Sequence, residues 1–187
     1  MAEWAVARRA HRVRRDRGRA RLFVLLIVMV CALAWYAHRH RHVPWEAAPR
    51  TPIVGVPRII DGDTIDVART RIRLEAIDAP EMDQTCRDAQ GRPWTCGAAA
   101  ARELRRQVNR QELRCAPSGL DRFKRVLATC FLPDGTDLNG WMVRQGWALA
   151  FRSTPRYRAE QREAEAAKRG LWAGTFVLPW ECRDRSR

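Results

Sequence analysis

Histidine is scarce, and it is missing where chemistry would need it. The 187-residue chain has four, His11, His38, His40 and His42, and none over residues 43–187. That excludes Ser-His-Asp and Cys-His catalysis and any His-ligated metal from this stretch. No two cysteines stand as a CxxC pair, so a zinc site is excluded as well. Acidic residues are few: 21 Asp and Glu against 35 Lys and Arg, a formal net charge of +14. An acidic, metal-buffering protein is therefore ruled out. A polyanionic partner, nucleic acid or an anionic membrane surface, becomes the leading expectation.

What is present suffices for one folded domain and a tail. Hydrophobic residues make up 46% of the chain, which excludes disorder throughout. Residues 1–21 carry eight Arg against Glu3 and Asp16 and read as a basic cytoplasmic tail. Residues 22–37 are an uncharged apolar run ending in Trp35, Tyr36 and Ala37. Its length is just short of a usual span, its basic lead belongs inside, and its aromatic end suits the lipid–water interface. It reads as a transmembrane signal anchor, or as a signal peptide cleaved near Ala34 at the Ala32-Leu33-Ala34 stretch. Either way the following domain is expected on the periplasmic or extracellular side. The His38–His42 tract reads as a solvated juxtamembrane stretch, and residues 38–53 as a Pro-containing linker.

Five of the six cysteines lie beyond the apolar run, in a compartment that permits disulfides. Cys86 and Cys96 bracket a short loop, and Cys115 and Cys130 sit on two neighbouring candidate strands. The expected pairs are Cys86–Cys96 and Cys115–Cys130, with Cys182 left over.

Residues 54–67 alternate apolar and polar around Asp61-Gly62-Asp63 and predict a hairpin. Residues 71–77 predict a third strand, 82–96 a loop, and 97–110 a helix. Strands are expected at 112–115 and 125–132, joined by a turn at Pro117-Ser118-Gly119. Helices are expected at 138–145 and 156–169. Five strands and three helices give an α+β expectation, a small five-stranded OB-type β-barrel over residues 54–178, with 179–187 as a C-terminal tail.

Without histidine, chemistry falls to carboxylates and arginines. Asp61, Asp63, Asp78 and Glu81 cluster at strand ends and turns. Oxygen ligands of this kind suit a hard cation such as Ca²⁺ or Mg²⁺. Arg73 and Arg125 lie on strands, and guanidinium forks fit phosphate oxygens in pairs. Two or three carboxylates for one metal, a spare carboxylate as base and two arginines are equipment for phosphodiester hydrolysis. Asp-Gly-Asp alone is an ordinary turn signal, so the set carries the argument and no single member does.

The set is also familiar. Ile60-Asp61-Gly62-Asp63-Thr64, Arg73-Leu74 with Ile77-Asp78-Ala79-Pro80-Glu81, and Asp121-Arg122-Phe123-Lys124-Arg125 occur in order. They are followed by Asp134-Gly135 with Asn139, Val143-Arg144-Gln145-Gly146, and Ala166-Ala167-Lys168-Arg169-Gly170-Leu171-Trp172. Over roughly residues 54–175 these segments resemble the staphylococcal nuclease (thermonuclease) family. The resemblance implies an OB barrel with three helices and Ca²⁺-dependent cleavage of DNA and RNA at the 5′ P–O bond, leaving 3′-phosphates. It implies Asp63, Asp78 and the backbone carbonyl of Ala79 as Ca²⁺ ligands, with Asp61 behind them. Glu81 would be the base or water-orienting group, and Arg73 and Arg125 would bind the scissile phosphate. Substrate contacts would come from Arg122, Phe123 and Tyr157. Phe123 stands where the family has a tyrosine, Arg122 where it has a lysine, and Ala79 where it often has a threonine. The resulting expectation is a membrane-tethered nuclease of low sequence specificity, with no obligate protein partner. The alternative is a catalytically inactive nucleic-acid-binding OB module of the cell envelope.

Overall fold

Alternation along residues 53–74 produces strands that curl around one apolar interior. The computed structural model describes residues 25–36, 49, 51–151 and 153–185. The chain divides into two units, Met1–Glu46 and Ala47–Arg187. In the first, residues 25–36 form helix α1, with Leu25, Ile27, Val30 and Leu33 exposed. At about 1.5 Å per residue this falls well short of the roughly 30 Å hydrocarbon layer. Among the described residues no helix is long and apolar enough to cross a membrane. The expected span over 22–37 is therefore not supported there. Its residues 22–24 and 37, the tail 1–21 and the His38–His42 tract lie outside the described residues.

In the second unit a six-stranded sheet runs in the order β1-β8-β9-β4-β3-β2. Its members are β1 (Ile53–Gly55), β2 (Arg58–Ile59), β3 (Thr64–Val67), β4 (Thr70–Leu74), β8 (Leu113–Leu120) and β9 (Val126–Phe131). The β4–β9 pair is parallel and the others are antiparallel. β1 and β2 form the two edges, yet they are halves of one segment broken only at Val56-Pro57. The sheet thus curls until its edges meet. Two further pairs complete the strands: β5 (Ile77–Asp78) with β10 (Leu149–Ala150), and β6 (Thr85–Arg87) with β7 (Pro93–Thr95). The fold is mixed α+β, as expected, with more and shorter strands than the five read from alternation.

The core lies inside the curl. Ile65, Val67, Ile72, Leu74, Leu113, Val126 and Ala128 are buried there. Helix α2 (Cys96–Val108) presents Ala100, Leu104 and Val108, a stripe at i, i+4, i+8. Helix α3 (Leu138–Arg144) adds Leu138, Met142 and Val143. Its first turn is capped by Asp137, whose carboxylate accepts from the Gly140 N–H at 3.1 Å. Helix α4 (Arg158–Ala166) buries only Ala164. A 3₁₀ turn at Gly170–Ala173 follows, tied to the end of α3 by the Leu171 N–H donating to the Gly146 carbonyl. The last described residues form helix α5 (Pro179–Arg185), in place of the C-terminal tail expected over 179–187.

Three other expectations need correction. The strand 71–77 bends after Leu74, because Ala76 takes a left-handed conformation (φ 64°) and sends β5 into another sheet. Alternation persists through the bend because both arms bury their apolar side. Pro117-Ser118-Gly119 is a β-bulge inside β8, not a turn. The turn follows at 121–125, where the Asp121 carboxylate accepts from the N–H groups of Phe123 and Arg125. The loop 82–96 holds the β6–β7 hairpin, and the Cys86–Cys96 disulfide joins it to the start of α2. Cys115 and Cys130 face each other across β8 and β9 and are bonded too.

Buried Asn139 fixes the bend. Its side-chain amide donates to the carbonyls of Glu75 and Ala128, both at 3.0 Å, and its oxygen accepts from the Cys130 N–H at 3.2 Å. Asn139→Ala should therefore leave buried backbone groups unpaired and cost about 2–4 kcal/mol, measured by urea unfolding. A loss under about 1 kcal/mol would show that the bend holds without it.

Candidate active site

The site forms where three chain reversals meet. The Asp61-Gly62-Asp63 turn precedes β3, and the Asp61 carboxylate shapes it by accepting from the N–H groups of Asp63 (2.9 Å) and Thr64 (2.6 Å). Gly62 is required by space: a Cβ there would lie 2.6 Å from that of Ala79 and 3.0 Å from that of Ala100. The turn thus packs directly on the segment carrying Asp78, and Asp63 and Asp78 are both buried.

One guanidinium joins them. Arg73, projecting from β4, donates through Nη1 to Asp63 Oδ1 at 2.8 Å and through Nη2 to Asp78 Oδ1 at 2.6 Å. Asp63 also accepts from the Thr64 hydroxyl (3.0 Å) and, at Oδ2, from the Ala79 N–H (2.9 Å). Burial pushes the Asp63 carboxyl up to about 6; Arg73 opposes that rise and the charge of Asp61 adds to it. Burial also raises Asp78, against the pull of Arg183 and Arg73. Burial works against the charge on Arg73, but the two aspartates outweigh it and hold its pKa above the ordinary value.

Glu81 follows Asp78 on a tied loop. Its carbonyl accepts from the Gln84 N–H at 2.8 Å, and its own N–H donates to Gln84 Oε1 at 3.3 Å. Gln84 reaches on to the Val177 carbonyl at 2.8 Å. The Cys86–Cys96 disulfide closes the same loop, and Gly97 lies against Glu81 at the head of α2. Arg125 starts beyond the 121–125 turn. Asp121 holds its Nε at 2.6 Å, while Nη1 lies 3.5 Å from the Thr64 hydroxyl. Burial acts to raise the Asp121 carboxyl, but its bonds from Arg125 and Phe123 hold it below the usual carboxylate range.

Asp61, Asp63, Arg73, Ala79, Glu81 and Arg125 all border one cavity of about 830 Å³. Arg122 and Phe123 are on its rim, with Phe123 exposed and both Arg122 and Arg125 stacked on its ring at 4.7 and 5.5 Å. Tyr157 is elsewhere. It is buried against α3 and its hydroxyl donates to Asp137 at 2.7 Å, so it offers no surface to the cavity. The aromatics that do border it besides Phe123 are Phe151 and Trp180.

Sequence reasoning missed α5. Arg183 from this helix donates to Asp78 Oδ2 and to Glu81 Oε1, both at 2.7 Å. Pro179 at the first helical position and Glu181 in the first turn are start signals that could have revealed the helix. No sequence signal pointed Arg183 at the site.

Among the described residues no three His, Cys, Asp or Glu side chains gather around one point. Asp63 and Asp78 do converge, as their shared guanidinium proves, and both offer oxygen only. Two carboxylates with carbonyl and water oxygens suit a hard cation, so the residues fit Ca²⁺.

Comparison with known proteins points the same way. The sequence model described as "Staphylococcal nuclease homologue" matches residues 71–174. The chain is 37% identical over 131 residues to the succinoglycan biosynthesis protein ExoI of Rhizobium meliloti, covering 68% of each chain. It is 36% identical over 138 residues to an uncharacterized endonuclease of Escherichia coli, covering 70% of this chain and 84% of the relative. It is 31% identical over 150 residues to the micrococcal nuclease of Shigella flexneri, covering 71% and 80%.

A Cβ at Gly97 would fall 1.6 Å from the Glu81 carbonyl oxygen. Gly97→Ala should force that backbone aside and cost about 1–3 kcal/mol in chemical denaturation. An unchanged unfolding midpoint would mean that the loop holding Glu81 yields freely.

Proposed function

The chain belongs to the staphylococcal nuclease family, and from that premise we propose that it is a Ca²⁺-dependent phosphodiesterase that hydrolyses DNA and RNA with low sequence specificity, leaving 3′-phosphate ends. The observation that carries this reading is the pair of buried aspartates, Asp63 and Asp78, held by one arginine at a cavity that Asp63, Glu81 and Arg125 border.

Asp63, Asp78 and the Ala79 carbonyl would hold the cation. Bound there, Ca²⁺ would neutralise negative charge developing on the phosphoryl oxygens. Arg125 supplies a fork for the scissile phosphate and Asp121 orients it through Nε; Arg73, whose two terminal nitrogens are on Asp63 and Asp78, would join it once the cation takes over those carboxylates. Glu81 orients the attacking water and takes its proton at a carboxylate oxygen as the water oxygen bonds to phosphorus; the P–O5′ bond breaks and the departing O5′ takes a proton from solvent water to leave as a hydroxyl. The exposed ring of Phe123, flanked by arginines, offers a surface on which a base can stack. Affinity would fall steeply with added salt, since the contacts are mostly to phosphate.

The sheet whose edges are two halves of one segment supports an OB-type barrel. Localisation follows the N-terminal apolar run. The exposed apolar helix 25–36 supports a hydrophobic anchor or signal segment that carries the domain to the periplasmic or extracellular side.

Glu81→Gln should cut turnover by about 10²–10⁴. Arg125→Ala should cut it by about 10²–10³. Both should keep the wild-type circular dichroism spectrum, with cleavage of single-stranded DNA followed in Ca²⁺ and in chelator. Full activity in Glu81→Gln would sink the enzymatic reading and favour a nucleic-acid-binding module.

A second test uses pH. With the Asp63 carboxyl at about 6 in the cation-free protein, acidification places a proton where the cation must bind. Calorimetric Ca²⁺ affinity should fall about tenfold from pH 7.5 to 5, with proton release on binding at the acid end. An affinity flat across that range would remove Asp63 from the ligand set.

A further inference from the structure

Resting on the cation-dependent reading above, we propose that Arg183 is a built-in competitor of the divalent cation: docked on Asp78 and Glu81 it closes the site, and cation binding expels the C-terminal helix.

Asp78 is fully buried, and both of its oxygens are taken by guanidinium groups. Oδ1 accepts from Arg73 at 2.6 Å and Oδ2 from Arg183 at 2.7 Å. The other terminal nitrogen of Arg183 occupies Glu81, the group assigned to the attacking water, also at 2.7 Å. One side chain thus engages a cation ligand and the base together. A calcium ion sits about 2.3–2.6 Å from its oxygens. On Asp78 it would stand within a few ångströms of the Arg183 charge, a repulsion that burial strengthens.

Charge balance favours the exchange. Asp63, Asp78 and Glu81 carry three negative charges, and Arg73 and Arg183 carry two positive ones. Replacing Arg183 by a divalent cation adds one positive charge to this net-negative set.

Arg183 is also the arginine placed to leave. Arg73 belongs to β4 in the middle of the sheet, and its side chain is 17% exposed. Arg183 is 31% exposed and sits on a helix of seven residues. Such a helix does not persist in water without its contacts. At its start, Leu178 and Trp180 pack on the cluster of Cys86, Cys96, Leu149 and Leu171. Apolar contact anchors the start of this short strap, and the Arg183 ion pairs tie its later part to the site. Because Trp180 and Arg183 border the cavity, releasing the strap also widens the mouth through which a strand must enter.

The test uses the full-length chain, Ca²⁺ alone as the ligand, and the variants Arg183→Ala and Asp63→Asn. Calorimetry should show Ca²⁺ binding about 5- to 20-fold tighter in Arg183→Ala, within the range of ordinary coupling between sites. In the wild type, saturating Ca²⁺ should raise hydrogen exchange over residues 179–185. Asp63→Asn, as the control on the ligand set, should lose binding. Unchanged or weaker Ca²⁺ affinity in Arg183→Ala overturns the proposal, as does Ca²⁺ that protects residues 179–185. A higher KM for single-stranded DNA at unchanged Ca²⁺ affinity overturns it in favour of a third phosphate-binding arginine. If these results come with Ca²⁺-dependent cleavage that Asp63→Asn abolishes, only the strap falls. If no form binds Ca²⁺, the cation reading falls with it.

Discussion

Everything in the site hangs on one buried guanidinium shared by two buried carboxylates. Asp63 and Asp78 come from turns fifteen residues apart in the chain, one before β3 and one after the bend at Ala76, and neither could stay ionised alone in that environment. Taking a charge from water into a protein interior costs several kcal/mol unless it is paired and fully hydrogen-bonded. Arg73 pairs both; on Asp63 the Thr64 hydroxyl shares Oδ1 with it and the Ala79 N–H satisfies Oδ2. Removing Arg73 would leave two like charges facing each other under the sheet.

The surrounding structure serves mainly to keep that pair and Glu81 in fixed relation. Asn139 locks the bend after β4 from below by bonding three backbone groups. The Cys86–Cys96 bond, Gln84 and the bare Cα of Gly97 secure the loop beyond it. Asp121 does for Arg125 what these groups do for Glu81, taking the inner nitrogen of the guanidinium. Rigid support of this kind matters because stabilisation of developing charge depends on groups that need not move at the moment of reaction. Against this rigidity, α5 is the exception: a helix of seven residues tied to the site through Arg183.

Composition and motif made the chemistry legible. Histidine missing after residue 42 left carboxylates and arginines as the candidates, and their order along the chain set out the family. Both disulfides could be paired from spacing because each joins neighbours on adjacent local elements. Local errors arose where one local signal has two structural meanings. Pro117-Ser118-Gly119 reads equally as a turn or a bulge, and the pairing of β8 with β9 decides between them. Alternation across residues 71–77 looks the same in a straight strand as in one bent over the core. Tyr157 was an aromatic at a plausible place, but its hydroxyl is drawn inward by the cap of α3.

By itself, then, the sequence determined which chemistry was available: oxygen ligands, a carboxylate base, arginine forks and a basic chain suited to phosphate. These follow from residue type, which no fold can change. Only the tertiary structure decided which of those groups meet. Arg183 lies 105 positions beyond Asp78 and bonds to it because α5 packs beside the β6–β7 hairpin. No local pattern encodes such a contact, since its partners are chosen by how separate elements pack, not by their neighbours in the chain.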